Sequence, residues 1–438
     1  MMAFRRRSHA RSGAWLLPLL FAVFLATVMV NCVTTFLVPS QGIFAQQRHL
    51  HSSTKQLAPQ HVFAGSAPKL ISSTLHDESS WETSLPVLVA ATALAAAAGS
   101  IDSTSGEEKS ADAAKEDKPE SGSTAIFNKL KLPIFAGLWY FFNIQYNIQN
   151  KSLLKVFSAT WAVSWIQLAA GIPIALLMWA TGLVKPPKVT SSDLAKLAPV
   201  GFFHALGQVA TVASLGAVAV SFTHVVKALE PAVNAIASAL VLGQVFHPLV
   251  YASLAPVFLG VALASSAELS FTMFGFLTAM LSNFAFVARN VLSTKLGGVG
   301  DMGEDQTERK TNQLAILTIV ATAVLFPIAM ALPGGLRSIP SAWNAAIASG
   351  VPANKLVYMI AASGFHFFMY QLSSFWVLSL VQPITHSVLN TLKRVVVIVA
   401  SVFVFRNPVT AQSAAGTCIA VGGILLYSFT KGYFSKKK

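Results

Sequence analysis

Acidic residues are scarce in this sequence. Of its 438 residues, 17 are Asp or Glu against 31 Lys or Arg, and only 11% carry a charge at all. Soluble domains carry about 25% charged residues, so a chain this poor in charge is not built to expose most of its surface to water. The net charge of +14 raises the question of nucleic acid. Its cations are spread over loops and tails, however, and no basic run is interleaved with aromatics, so no nucleic-acid partner is expected. Cysteine is nearly absent too. Cys32 and Cys418 lie in separate apolar segments, which excludes a disulfide framework and a thiolate metal site. No HExxH, P-loop or CxxC pattern occurs, so familiar enzyme signatures are missing, and neither a metal nor a cofactor is called for.

What the chain does have is apolar sequence, 54% of the total, with a positive mean hydropathy. That composition points to a polytopic helical membrane protein. The first 76 residues contain no Asp or Glu. Arg5, Arg6, Arg7 and Arg11 precede an apolar run from about Ala14 to Val38, the layout of a signal peptide, and its length also suits a signal anchor (1–40). Residues 41–100 follow with a transit-peptide-like composition rich in Ser, Gln and His. Together they read as the two-part leader of a protein bound for a complex plastid such as the apicoplast. Residues 101–125 turn acidic and Ser-rich, as expected of a disordered linker.

From Leu130 the pattern changes to apolar runs separated by short breaks such as Pro186-Pro187, Gly297-Gly298, Pro333-Gly334-Gly335 and Asn407-Pro408. These predict ten helices, at 131–150, 156–183, 196–216, 219–243, 247–266, 270–294, 312–332, 355–380, 383–405 and 409–430. An even number places Lys129, Lys131, Lys185, Lys188, Lys196, Lys295, Arg309, Lys310 and the basic tail (432–438) on one side of a bilayer. Fewer cations, among them Arg337, Lys355 and Arg406, fall on the other, in keeping with the charge bias of membrane proteins.

The body also repeats itself. Phe203-His204 through Thr223-His224 align without a gap on Phe365-His366 through Thr385-His386, and the register still holds at Gly260 and Gly422. The expectation is therefore an all-α polytopic membrane protein of ten transmembrane helices, arranged as two five-helix repeats (126–266 and 267–431). An odd number of spans per repeat forces opposite orientations, the inverted-repeat design of secondary transporters.

Fixed charge inside such helices is costly and marks function. Lys227 follows Thr223-His224, and Lys393-Arg394 follows Thr385-His386; Glu230 is the one acid nearby. The excess of positive charge suits an anion, with Arg offering a two-pronged donor to phosphate oxygens and Lys a mobile point charge. A plainer role for Lys227 is a helical ion pair with Glu230, three residues on. His204, His224, His366 and His386 are candidates for the pathway or for packing. Arg289 is either a pathway cation or a charge at a membrane face. The cluster Trp139-Tyr140-Phe141-Phe142 reads as packing or a lipid belt.

At SFTHVVKALEP (221–231), SLAPVFLGVALASSAELSF (253–271), ARNVLSTK (288–295), PITHSVLNTLKRVVVI (383–398) and GTCIAVGGILLYSFTK (416–431) the chain resembles the plastid phosphate translocators, the triose-phosphate/phosphate translocator family of the drug/metabolite transporter superfamily. The resemblance runs from about Leu132 to the C-terminus. It implies that Lys227, Lys393 and Arg394 hold the phosphate of every substrate, while Thr211 and Tyr370 meet the carbon skeleton. Gln208, where familiar members carry His or Asn, joins those two. ARNVLSTK resembles the phosphoenolpyruvate and hexose-phosphate branches, whereas KALEP and SLAPVFLGV resemble the triose-phosphate branch. The implied activity is exchange of inorganic phosphate for triose phosphate, 3-phosphoglycerate and phosphoenolpyruvate across a plastid membrane, without enzymatic chemistry. The expected partners are these metabolites and the lipid bilayer, and the reading admits a homodimer. Competing readings are a nucleotide-sugar or hexose-phosphate carrier of the same superfamily and a membrane-embedded enzyme acting on a lipid phosphate.

Overall fold

A computed structural model describes residues 122–435, and these form helices joined by short connections. The leader (1–40), the transit-peptide-like region (41–100) and the linker up to 121 lie outside the described residues, as do the last three of the chain. The helices are α1 (Gly122–Val156), α2 (Thr160–Ala169), α3 (Gly171–Ala180), α4 (Ser191–Ala217), α5 (Val220–Lys227), α6 (Glu230–Leu242), α7 (Pro248–Ala252), α8 (Ala255–Ser266), α9 (Met273–Leu296), α10 (Gln306–Ala331), α11 (Ile339–Ala348), α12 (Ala353–Leu380), α13 (Pro383–Phe405) and α14 (Ala411–Ser435). No strand occurs among the described residues. Among the described residues eight stretches are long and apolar enough to cross a membrane: 160–180, 191–217, 220–242, 248–266, 273–296, 306–331, 385–405 and 411–435. The described residues thus form an all-helical polytopic membrane body.

Three of the expected helices are broken, and proline accounts for each break. Its ring clashes with the carbonyl four residues back, and it lacks the N–H that would bond there. Helix α2 stops at Ala169, four before Pro173; α5 stops at Lys227, four before Pro231; α7 stops at Ala252, four before Pro256. Pro133, Pro199 and Pro327 are carried inside α1, α4 and α10 without a break. Helix α1 starts at Gly122, inside the stretch expected as linker, and outruns the expected 131–150 at both ends. Hydropathy marks only the apolar middle, whereas the helix also takes in the less apolar residues 122–130 before it and 151–156 after it. Helix α11 was not expected at all, being too short to register as an apolar run.

Helices α1 and α12 pack along each other, as do α4 and α9, and α8 and α14. Helix α13 rests on α1 and α5, and α10 lies against α4, α12 and α2. Between α8 and α14 the backbones touch. A Cβ on Gly260 would meet Ala420 N at 2.3 Å and Gly416 O at 2.6 Å, so only glycine permits this approach. Helices α1 and α12 bury polar side chains, among them Asn143, Asn147, Asn150, Ser363, His366 and Ser373, instead of turning a wholly apolar face to lipid.

The two ends of the bundle are tied differently. At one, Lys151 donates to the carbonyls of Leu215 and Val218 (2.8 and 2.9 Å), capping the end of α4. The Gly334 carbonyl there accepts from the backbone N–H groups of Trp161 and Ala162, capping α2. Leu153, Phe157, Val212, Ala342, Ala346 and Leu356 fill that end with apolar packing. At the other end Asn312 donates to the carbonyls of Lys185 and Met302 and accepts from Trp179 Nε1, joining the loops that enter α4 and α10. A Thr190–Asp193 capping box starts α4.

Candidate functional site

The break after Lys227 sets up the site. With Pro231 unable to continue the α5 ladder, Ala228 and Leu229 turn tightly onto the carbonyls of Val225 and Val226, and Asn283 of α9 donates to the Val226 carbonyl at 3.0 Å. This leaves Lys227 at a helix end inside the bundle. Its Nζ donates to Thr211 Oγ1 (3.1 Å) and to Ser282 Oγ, and those two hydroxyls bond each other at 2.7 Å. The same ammonium stands 4.9 Å from the centroid of the Phe286 ring. Arg289 stacks on that ring as well, at 5.0 Å, and donates from Nη1 to His204 Nδ1 at 2.9 Å. One aromatic ring therefore bridges two cations, a way of holding charge in little water.

Helix α13 supplies the other two. Arg394 is buried, and its Nη2 meets Glu230 Oε2 at 2.6 Å. The turn between α5 and α6 ends the helical register that an Lys227–Glu230 pair would need, and the carboxylate is taken by α13. Arg394 Nη1 is also buried and has no hydrogen-bond partner among the described residues. A buried donor of this kind is rare and calls for an acceptor. Lys393 stands 4.8 Å over the Trp139 ring, and the ring of Trp139 stacks on His386 at 4.9 Å. Tyr140 donates to the Leu389 carbonyl at 2.6 Å, anchoring α13 to α1 one turn before Lys393. Lys227 and Lys393 both lie within electrostatic reach of Arg394 and Glu230. Four cations thus share one carboxylate.

The uncharged candidates lie alongside. Gln208 and Thr211 are a turn apart on α4, and both are buried. Gln208 donates to Tyr146 OH (2.9 Å) and to Gln167 Oε1 (2.7 Å). The ring of Tyr370 lies 5.2 Å from that of Tyr146. A cavity lined by Leu197, Val200, Arg289, Asn290, Ser293 and Gln313, among others, opens where α4 begins and α9 ends. Arg289 links it to the cation cluster.

The chain matches the Triose-phosphate Transporter family over residues 130–428. It belongs to that family. As a family member it is a transporter and not an enzyme. It is 41% identical over 309 residues to phosphoenolpyruvate/phosphate translocator 1, chloroplastic, of Oryza sativa subsp. japonica, covering 70% of this chain and 74% of that one. A triose phosphate/phosphate translocator of non-green plastids from Brassica oleracea var. botrytis is 40% identical over 319 residues (72% and 77%). Glucose-6-phosphate/phosphate translocator 1, chloroplastic, of Arabidopsis thaliana is 38% identical over 319 residues (73% and 79%).

In this family member the histidines divide. His204 holds Arg289, and His386 stacks under the Trp139 ring while sharing a hydrogen bond with Ser374 Oγ at 3.2 Å. His224 bonds Asn147 Oδ1 at 3.0 Å. His366 donates to the carbonyl of Ala362 in its own helix and packs near Phe142, so nothing draws it into the cluster. Several residues at the site, or behind it, went unread in the sequence. Trp139 faces Lys393 instead of lipid, and Ser282, Phe286, Tyr146, Gln167 and Asn150 are uncharged residues in apolar helices. Only the position of Ser282 and Phe286, two turns and one turn before Arg289 on one helix face, offered a signal.

Proposed function

We propose that this transporter is an antiporter that exchanges inorganic phosphate for phosphorylated three-carbon compounds (triose phosphate, 3-phosphoglycerate and phosphoenolpyruvate) across a plastid membrane by alternating access. The observation that carries the reading is the cluster of Lys227, Arg289, Lys393 and Arg394 around the single carboxylate Glu230, with a buried guanidinium N–H of Arg394 lacking an acceptor. Lys227, Lys393 and Arg394 hold the phosphate; Thr211, Gln208 and Tyr370 meet the rest of the substrate. His204 and Arg289 line the way in from the cavity at the start of α4. The plastid assignment follows the relatives, whose names place them in chloroplasts or non-green plastids. Delivery to a complex plastid rests on the two-part leader.

Exchange follows from the electrostatics. Closing a pocket around unpaired cations strips their water without giving them a partner, which is expensive. A bound phosphate dianion offsets the charge and lets the pocket close, so the loaded carrier crosses and the empty one does not. The helix pairing supports two inverted five-helix halves, 126–266 and 267–431, with α1 and α12 as the two spans beyond the eight apolar ones. If α1 corresponds to α9 and α4 to α12, the α1–α12 and α4–α9 packings are equivalents, and α8–α14 and α5–α13 each join equivalent helices. A hexose phosphate is the second reading, favoured by the glucose-6-phosphate/phosphate translocator among the relatives. Phosphate-loaded liposomes containing the purified protein test both. They should take up dihydroxyacetone phosphate, 3-phosphoglycerate and phosphoenolpyruvate, each only against internal phosphate. Uptake restricted to hexose phosphates or nucleotide sugars would overturn the three-carbon reading.

A further inference from the structure

Behind Gln208 runs a chain of amides that the transport reading does not use. Gln208 Nε2 donates to Gln167 Oε1 at 2.7 Å, and Gln167 Nε2 donates to Asn150 Oδ1 at 2.8 Å and reaches Ser363 Oγ at 3.5 Å. Asn150, Gln167, Gln208 and Ser363 are all essentially inaccessible to solvent. Four buried polar side chains from α1, α2, α4 and α12 converge in a core that three of them could fill with leucine at lower cost. Such a network needs a reason.

Its hydrogen-bond count supplies one. Gln208 spends both amide protons, one on Gln167 and one on Tyr146 OH. The only hydrogen-bonding atom it has left is the Oε1 carbonyl, an acceptor. At the far end Asn150 Nδ2 is a buried donor with no partner, and the Tyr146 hydroxyl, used here as an acceptor, finds no acceptor for its own proton among the described residues. Reversing the polarity would use both the Asn150 amide N–H and the Tyr146 proton, and would leave Asn150 Oδ1 as the unpaired buried atom in place of Nδ2. Side-chain amides present oxygen and nitrogen at nearly identical positions. Turning all three over would let Tyr146 OH and Gln167 Nε2 donate to Gln208 Oε1, leaving the Gln208 amide N–H as the outward group. The Ser363 hydroxyl, which now donates to the Ile360 carbonyl at 3.0 Å, is free to turn and donate to Gln167.

We propose that Asn150, Gln167 and Tyr146 are positioning residues that switch Gln208 between an outward acceptor and an outward donor. One pocket then serves two classes of phosphorylated compound, those ending in a hydroxyl, which needs an acceptor, and those ending in a carboxylate, which needs a donor. The inference rests on the proposed placement of Gln208 against the carbon skeleton, one turn from the Thr211 that Lys227 bonds. A hydroxyl-terminated and a carboxylate-terminated substrate are otherwise hard to accommodate together, because a buried polar group left facing its own kind is penalised heavily.

Two substitutions at Gln167 pull the relay in opposite directions. In Gln167→Glu the introduced carboxylate can only accept, so it takes the Gln208 N–H, holds the amide nitrogen inward and leaves the carbonyl outward. In Gln167→Met, similar in shape and without hydrogen bonds, the Tyr146 proton has Gln208 Oε1 as its acceptor, which turns the amide nitrogen outward. The experiment measures apparent KM for dihydroxyacetone phosphate and for phosphoenolpyruvate in phosphate-loaded liposomes, with phosphate/phosphate homoexchange as the reference. Relative to wild type, the KM ratio of phosphoenolpyruvate to dihydroxyacetone phosphate should rise about tenfold in Gln167→Glu and fall in Gln167→Met, the size of one hydrogen bond gained or lost. Homoexchange should stay unchanged, since phosphate lacks the end that Gln208 reads. Ratios that stay put, or move the same way in both variants, would overturn the relay. So would loss of homoexchange in folded protein, which would make Gln167 a support of the phosphate site. Failure of the wild-type protein to take up either compound would instead defeat the proposed function itself.

Discussion

Arg394 is assigned two tasks, neutralising Glu230 and binding phosphate, and substitution can separate them. The guanidinium side chain is 7% exposed and the carboxylate 23%, with 2.6 Å between Nη2 and Oε2. Arg394→Met leaves Glu230 largely buried and without its hydrogen-bonded partner, with only the more distant charges of Lys227, Arg289 and Lys393 to offset it. Removing one partner from a buried pair costs about 3–5 kcal/mol, and the partial exposure of Glu230 places this case near 3 kcal/mol. Against a total stability of about 5–15 kcal/mol that loss should lower the melting temperature and the folded yield in detergent visibly. Adding Glu230→Gln removes the stranded charge, so the double variant should recover most of the lost stability. It should still fail at phosphate homoexchange in liposomes, because the forked donor and its free Nη1 are gone. A double variant that folds and exchanges phosphate at the wild-type rate would refute the reasoning, since Arg394 would then serve only to balance Glu230.

Thr211→Ala and Tyr370→Phe should alter the relative KM values of organic phosphates by a few-fold to about tenfold, the scale of one neutral hydrogen bond, while leaving phosphate homoexchange close to wild type. Equal losses for every substrate would move both residues to the phosphate end. Gly260→Val should destabilise the protein by about 1–3 kcal/mol through overpacking, seen as a lower melting temperature, because its side chain would drive into the backbone at Ala420 and Gly416. An unchanged melting temperature would mean that α8 and α14 pack less tightly than this. A fusion of residues 1–125 to a fluorescent protein should reach the plastid of a host with a complex plastid; arrival only at the cell surface would contradict the two-part leader.

Much of the bundle was legible because membrane spans advertise themselves by length and hydropathy. The apolar stretches at 191–217, 273–296 and 306–331 sit where the expected helices at 196–216, 270–294 and 312–332 fall. What composition hides is local geometry. Pro231 was visible in the sequence, yet its consequence, a helix that stops at Lys227 and sends Glu230 to Arg394, depends on a helix 164 residues away. The charged half of the site was readable for the same physical reason that makes it expensive: lysine and arginine stand out in apolar sequence. The neutral half was not. Trp139 under Lys393, Phe286 between Lys227 and Arg289, and the Asn150–Gln167–Gln208 chain use residue types common in membrane helices, and only tertiary packing gives them their partners. His366 shows the converse, since its place in the repeat made it conspicuous while its bond to Ala362 is local to α12.

The central claim is that phosphate is bound by the cations of α5 and α13, and phosphate/phosphate homoexchange by Lys227→Met and Lys393→Met tests it most directly. Both substitutions should leave the fold intact. Thr211 and Ser282 keep their mutual 2.7 Å bond when the Lys227 ammonium goes, and Lys393 rests on the face of Trp139, which a methionine can also cover. Each removes one charge-assisted hydrogen bond, worth about 1.5–3 kcal/mol, so the half-saturating phosphate concentration should rise about 10- to 100-fold in reconstituted, correctly folded protein. Wild-type homoexchange in both variants would place the phosphate elsewhere and contradict the account.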